Sequence, residues 1–296
     1  MTAKIISGTK IAEEIRTELK ERVKELKAKG ITPGLAVVLM GEDPASLSYV
    51  AAKAKGAEEV GVHEETFRLP ATATEGDLLE LVSRLNKDAR FHGILVQLPL
   101  PKHISEQKMT SAVDPAKDVD CFHPVNVGKL LIGQPDFLPC TPHGVVQLLV
   151  RSGYDPAGKH VVICGRSSIV GKPLMAMLVQ KAKGANATVT VCHTGTTNMA
   201  AITRLADILV AGVGKPQVIK ADMVKDGVVV IDVGVNRIPD PSAKSGFRLV
   251  GDVDFDGIKE KAEAITPVPG GVGPMTVTML LDNTIRAAEK KLGHTG

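Results

Sequence analysis

Long apolar runs are missing from this 296-residue chain. No segment approaches the roughly 18 consecutive apolar residues of a membrane span. MTAKIISGTK, at the N-terminus, lacks the apolar core of about 7–15 residues that marks a signal peptide. Charge of one sign is missing too, since the formal net charge is +3. The longest basic stretch, KERVKELKAK at 20–29, alternates with glutamates and reads as a solvated helix face. A nucleic-acid binder would instead gather Lys and Arg on one element. The four cysteines (Cys121, Cys140, Cys164, Cys192) are dispersed, with no C-x-x-C pair and no histidines at zinc spacing. They predict reduced thiols in a cytoplasmic protein without a metal centre. No G-x-x-x-x-G-K-[ST] phosphate loop occurs. Aromatics are scarcest of all: no tryptophan and two tyrosines, so Tyr49 is one of a rare kind.

What the chain does have is alternation. Apolar residues at 44% and charged residues at 23% are ordinary globular usage, and helical and strand patterns follow one another throughout, which predicts an α/β fold with parallel sheets. Ile11, Ile15, Leu19, Val23 and Leu26 recur at helical spacing over 9–29, with Thr9 as N-cap and Gly30 as stop. GLAVVLMG at 34–41 reads as a buried strand, the Ala-rich segment around Tyr49 as a helix, HEETFRLP as a strand, 74–88 as an amphipathic helix and HGILVQLPLP as a strand closed by prolines. Texture changes over 115–142 to loop residues, a length that signals function or a linker. A second run of strand and helix units starts at KHVVICGRSS, and a last helix covers 275–291. Two α/β lobes are expected, 1–140 and 141–271.

The second lobe carries a phosphate-type turn. In VVICGRSSIVGKP a β-branched strand meets a glycine turn and a helix start, an order that aims backbone N–H groups at an anion. The glycines are Gly165 and Gly171, and Ser167 stands where G-x-G-x-x-G has its second glycine; an ordinary tight βα turn is the alternative. VAGVGKP, with Gly214, and IDVGVN, with Val235, add two more glycine-containing loops at strand ends, and ligands of open α/β sheets bind outside the carboxyl ends of strands. NAD-type folds place a carboxylate about 20 residues past the turn. Here that strand ends TVTVCHTGTTN, so Arg166, His193 and Thr194 predict NADP with its 2′-phosphate.

Tyr49 and Lys53 lie one helical turn apart. Tyr-x-x-x-Lys is also the pair of short-chain dehydrogenases, but those enzymes open with the nucleotide unit, and here the order is reversed; the pair is expected to face the cofactor across a cleft. A core tyrosine beside a surface lysine is the plain alternative. Gln97 in QLPLP, Asp118 and Asp120 in KDVDCFHP, and the glycine-rich TPVPGGVGPMT weigh against it.

Taken together, YVAAKAKGAEEVG, GILVQLPLP, KDVDCFHPVNVGKL, PCTPHGV, GRSSIVGKP and PGGVGPMTV, in this order over almost the whole chain, resemble the bifunctional methylenetetrahydrofolate dehydrogenase/methenyltetrahydrofolate cyclohydrolases. The resemblance implies a folate-binding catalytic domain at 1–140, a Rossmann-like NADP-binding domain at 141–271, a last helix at 272–296 returning to the first domain, and a homodimer. It implies that Tyr49 packs on the folate, Lys53 is central to the cyclohydrolase step, Gln97 orients it, and Asp120 holds the pterin ring. Pro269, Gly270 and Gly273, in the loop running to Met275, would line the folate site. Gly165, Arg166, Ser167, His193, Thr194, Gly214 and Val235 would hold NADP, with Thr276 near the nicotinamide.

One departure is Cys121, where the family commonly reads Asp-Val-Asp-Gly. If that glycine serves a positive φ, cysteine costs about 1 kcal/mol or more; if it is merely small, a thiol sits near the pterin. The implied chemistry oxidises 5,10-methylenetetrahydrofolate to the methenyl form and hydrolyses that to 10-formyltetrahydrofolate. A monofunctional dehydrogenase and a silent folate- or nucleotide-binding protein are the competing readings.

Overall fold

The computed structural model describes residues 2–243 and 246–293; the end of the helix expected over 272–296 thus falls partly outside the described residues. In chain order the elements are β1 (Lys4–Ile5), α1 (Gly8–Ala28), β2 (Gly34–Met40), α2 (Pro44–Val60), β3 (His63–Leu69), α3 (Glu75–Lys87), β4 (Gly93–Val96), α4 (Glu106–Ala112), α5 (Pro124–Leu131) and α6 (Cys140–Arg151). They continue with β5 (His160–Cys164), α7 (Gly171–Leu178), β6 (Thr188–Cys192), α8 (Met199–Thr203), β7 (Ile208–Ala211), β8 (Val229–Asp232), β9 (Asn236–Pro239), β10 (Phe247–Val250), α9 (Phe255–Ile258), β11 (Ala264–Ile265) and α10 (Val272–Leu292). No helix among the described residues is long and apolar enough to cross a membrane.

The chain divides into two compact units, one of residues 1–12 with 141–276 and one of residues 13–140 with 277–296. This differs from the expected 1–140 and 141–271 at the N-terminus. The reason is pairing: β1 adds to the sheet of the nucleotide unit, with Lys4 opposite Ala264 and Ile5 opposite Ile265.

The unit containing 13–140 is built on a parallel three-stranded sheet, order β3-β2-β4. All seven residues of β2 are buried, as a central parallel strand covered on both faces requires. One layer of its core joins Val38, Leu78, Leu85, Phe91, Ile94 and Met109. α3 starts at Thr74, whose hydroxyl accepts from Asp77 N while the Asp77 carboxylate accepts from Thr74 N, a reciprocal cap. α2 starts at Asp43, which accepts from Ser46 N, with Pro44 at the first helical position. Gly56 lets α2 pack closely on α10, since a Cβ there would lie 3.1 Å from Val277 Cγ1.

In the other unit a six-stranded, all-parallel sheet runs in the order β1-β11-β8-β7-β5-β6. The chain passes from β5 to β6 on one side and then to β7 on the other, so the strand order reverses beside β5. β9 and β10 form a separate antiparallel pair.

Two local expectations are corrected. Thr9 does not cap α1; the helix begins at Gly8, and Ser7 Oγ accepts from Lys10 N at 3.3 Å. The irregular stretch over 115–142 contains α5, capped by His123, whose Nδ1 accepts from Val125 N, with Pro124 at the first position. Proline and glycine there read as breakers, yet proline belongs at a helix start because its missing N–H has no intrahelical partner.

Candidate active site

In the unit containing 13–140, β4 ends at Val96 and delivers Gln97 to the carboxyl edge of the sheet. Gln97 N donates to Val38 O at 2.9 Å, which ties the residue to β2. Its amide is fixed from both ends: Nε2 donates to Leu98 O at 2.7 Å, and Oε1 accepts from Lys53 Nζ at 2.6 Å. Lys53 comes from α2 and is 7% exposed. Burial pushes its pKa down, opposed by the Asp120 carboxylate. Tyr49, one turn earlier, is 40% exposed, an aromatic face turned outward beside a buried ammonium. The helical face that joins these two residues is therefore half open.

Asp120 is partly buried, and burial pushes its pKa up while Lys53 and the Cys140 thiol pull it down. Its loop is organised by Asp118, 5% exposed. Asp118 Oδ1 accepts from Phe122 N at 3.1 Å, and Oδ2 accepts from His123 N and Asn126 Nδ2, both at 2.8 Å. Sequence reading put Asp118 beside Asp120 but gave it no task; the structure makes it the acceptor around which the loop turns.

Cys121 has φ 62°, so the first of its two readings holds: this is a left-handed position that favours glycine. Its thiol is 1% exposed and donates to Phe137 O at 3.4 Å. Burial drives its pKa far above the ordinary thiol range, which leaves it an inert packing group. All four cysteines are free and buried.

In the other unit the glycine turn follows β5 at the strand-order reversal. Gly165 has φ 137°, and a Cβ on it would strike Gly212 O; a Cβ on Gly171 would strike Gly165 O. Turn, neighbouring loop and helix start thus approach at backbone distance, as a dinucleotide turn requires. Ser167 stands in for the second glycine in a specific way, since its Oγ accepts from Val170 N at 3.1 Å at the start of α7. Arg166 Nη1 lies 3.4 Å from His193 Nε2. Gly195 N donates to His193 Nδ1 at 3.1 Å, which places the imidazole proton on Nε2. Two donors then face each other, and an anion between them would satisfy both. Thr194 is exposed beside them.

The loops after β7 and β8 are held by two buried aspartates that sequence reading missed. Asp252 Oδ2 accepts from Val213 N and from Gly214 N at 2.7 Å, and its Oδ1 accepts from Asn236 Nδ2 at 2.8 Å. Asp232 accepts from Gly234 N, Asp252 N and Val253 N. Burial, with Asp252 adding, pushes the Asp232 pKa up to about 6. Val235, between these anchors, is 50% exposed.

Pro269 and Gly270 precede α10, with Gly270 O accepting from Thr9 N at 3.1 Å. The loop is shorter than expected, because α10 begins at Val272 and Gly273 lies in its first turn. A Cβ at Gly273 would meet nothing within 4 Å. No internal packing demands glycine there, although glycine costs a helix about 1 kcal/mol against alanine. Thr276 Oγ1 lies 2.9 Å from Thr141 Oγ1.

These features place the chain among two-domain α/β proteins that bind a dinucleotide at a strand-order reversal. Comparison narrows the class. The chain belongs to the tetrahydrofolate dehydrogenase/cyclohydrolase family: its catalytic-domain model matches residues 6–120 and its NAD(P)-binding-domain model residues 139–292. The bifunctional protein FolD of Syntrophus aciditrophicus is 59% identical, over 99% of this chain and 100% of its own length. The bifunctional FolD methylenetetrahydrofolate dehydrogenase/cyclohydrolase of Campylobacter jejuni matches with a TM-score of 0.92 at 46% identity, covering 98% of this chain and 99% of that one. The Trypanosoma brucei enzyme, solved with NADP cofactor and an inhibitor, matches with a TM-score of 0.93 at 42% identity, covering 99% of both chains.

Proposed function

We propose that this protein oxidises 5,10-methylenetetrahydrofolate with NADP and hydrolyses the methenyl product to 10-formyltetrahydrofolate, with Lys53, Tyr49, Gln97 and Asp120 as its catalytic set. The relatives named for both activities support the pair of reactions. The observation that carries the hydrolytic half is Lys53, buried, lowered in pKa and hydrogen-bonded to Gln97 at 2.6 Å. NADP, when bound, supplies the hydride acceptor. The glycine turn and the facing donors of Arg166 and His193 suit its phosphates, with Gly165, Ser167, Thr194, Gly214, Val235 and Thr276 as further contacts.

For the first reaction the protein's task is positioning, because the folate nitrogens provide the electron push to the methylene carbon. Tyr49 packs on the folate, Asp120 accepts from the pterin, and Pro269, Gly270 and Gly273 allow close approach. In the second reaction water adds to the methenyl carbon, and neutral Lys53 takes the proton from that water. The resulting ammonium is positioned by Gln97 Oε1 to return a proton to the ring nitrogen as the C–N bond breaks, while the hydroxyl proton leaves to solvent as the formyl C=O forms. A lysine performs the first transfer only if its pKa falls well below about 10.4, which its burial favours. The resemblance also supports a homodimer working in the cytoplasm.

The test is Lys53→Met, assayed with 5,10-methylenetetrahydrofolate and NADP while methenyl decay is followed separately. Reduction of NADP without accelerated decay is expected. Equal loss of both activities would overturn the role given to Lys53.

A further inference from the structure

The interior of α10 holds three consecutive polar residues, Asp282, Asn283 and Thr284, all of them buried. Asp, Asn and Thr are weak helix formers, because short polar side chains compete for backbone groups and β-branching removes rotamer freedom. Two of the three have partners close by. Asp282 pairs with Arg22 and Arg286, and Thr284 Oγ1 donates back to Leu280 O at 2.8 Å. Asn283 instead reaches into another segment of the same unit.

Its Nδ2 donates to Val119 O at 2.8 Å and to Leu138 O at 2.7 Å. Both partners are carbonyls, which only accept, so the atom between them is the nitrogen and both of its protons are used. Asn283 Oδ1 is buried with no hydrogen-bond partner among the described residues. An unsatisfied buried acceptor is costly, and helix packing alone would favour an apolar side chain here. What the amide does achieve is a bridge across the loop that carries Asp120. Val119 O belongs to the peptide group that joins Val119 to Asp120, and a peptide group is planar. Holding that carbonyl therefore fixes the plane from which the Asp120 backbone departs. Cys140 Sγ donates to the same carbonyl at 3.4 Å. On the far side of Asp120, the Asp118 carboxylate holds Phe122 N and His123 N.

We propose that Asn283 is a positioning residue for Asp120: from the last helix, its amide holds the peptide group before Asp120 and so sets where that carboxylate stands. The inference rests on the folate contact proposed for Asp120, and Asn283 acts only through it.

The test is a double-mutant cycle. Asn283→Ser keeps one hydroxyl donor in place of two amide protons. It should raise the KM for folate in both reactions about 5-fold, the weight of one neutral hydrogen bond, and leave the KM for NADP unchanged. Loss of packing alone would lower the urea midpoint and the active fraction, and so kcat, without moving KM. In the Asp120→Asn background the same substitution should no longer change the folate KM, because its route runs through that carboxylate. A full further rise in that background, or an unchanged KM in Asn283→Ser alone, would overturn the inference. Asp120→Asn without effect of its own would remove the folate contact, and the inference with it. A second readout needs no change at Asn283. Saturation with tetrahydrofolate should move the 15N resonance of Asn283 Nδ2 in the unaltered chain and not in Asp120→Asn; movement in both, or in neither, would equally overturn the assignment.

Discussion

Replacing Gln97 by Glu puts a carboxylate where an amide oxygen now accepts from Lys53 Nζ at 2.6 Å. Coulomb's law at an effective dielectric constant of 20 gives, at the 2.6 Å separation, an attraction of about 6 kcal/mol. That is a ceiling, since Asp120 already acts on the same ammonium. Opposite charges at such range raise a lysine by roughly 1–3 pKa units, about 1.4–4 kcal/mol. Burial now lowers the Lys53 pKa; the new charge reverses that. Below its pKa the neutral fraction of a lysine falls tenfold per unit, so cyclohydrolase activity at neutral pH should drop roughly 10- to 1000-fold. The lost rate should return as pH rises by the same one to three units. Methenyl decay, measured by stopped flow from pH 6 to 10 and corrected for the enzyme-free rate, reads this directly. NADP reduction serves as the internal control and should persist. A cyclohydrolase profile that keeps its position on the pH axis, or a parallel fall in both activities, would refute a lysine acting through its neutral form.

Other substitutions test other parts of the reasoning. Asp120→Asn should raise the KM for folate in both reactions by about 10-fold, the weight of one charge-assisted hydrogen bond; unchanged folate affinity would remove that contact. At Cys121, with φ 62°, glycine relieves about 1–2 kcal/mol of backbone strain, whereas alanine keeps the strain and still forfeits the thiol's contact with Phe137 O. Urea midpoints should therefore place Cys121→Gly at or above Cys121→Ala, the reverse of the usual order, and a clearly lower glycine variant would contradict the strain. Asp232 has a folded pKa of about 6, above the ordinary 3.9 or so. Its contribution to stability is present below about pH 4 and is lost as pH rises through about 6, an amount near 3 kcal/mol. Asp232→Asn lacks that loss, so its destabilisation should be about 2 kcal/mol smaller at pH 7 than at pH 4; an equal cost at both would mean the carboxyl is not protonated in the folded state.

The long central strands of both sheets were legible because buried parallel strands are continuous apolar runs, as in GLAVVLM and HVVIC. The glycine turn was legible because close approach leaves only glycine possible at 165 and 171. Lys53 and Gln97 are 44 residues apart, and only the family resemblance joined them in advance; no spacing rule relates a helix to the end of a strand three elements later. β1 escaped for a different reason. Two residues carry no periodicity, and their place in the nucleotide unit follows from pairing with β11.

Asp232 and Asp252 mark where such reading stops. Motifs reveal residues that must be small, apolar or regularly spaced, but a carboxylate that accepts from backbone N–H groups leaves no such trace, because every residue except proline offers the same donor. The glycines beside the two acids carry what trace there is. A Cβ at Gly251 would run into the Asp232 carboxylate, and one at Gly234 into that of Asp252. Gly234 was read as part of a loop open to a ligand, and it is also the space into which a buried carboxylate folds. The loops after β7 and β8 owe their shape to an acid 39 residues beyond Val213, a residue outside every motif that announces those loops.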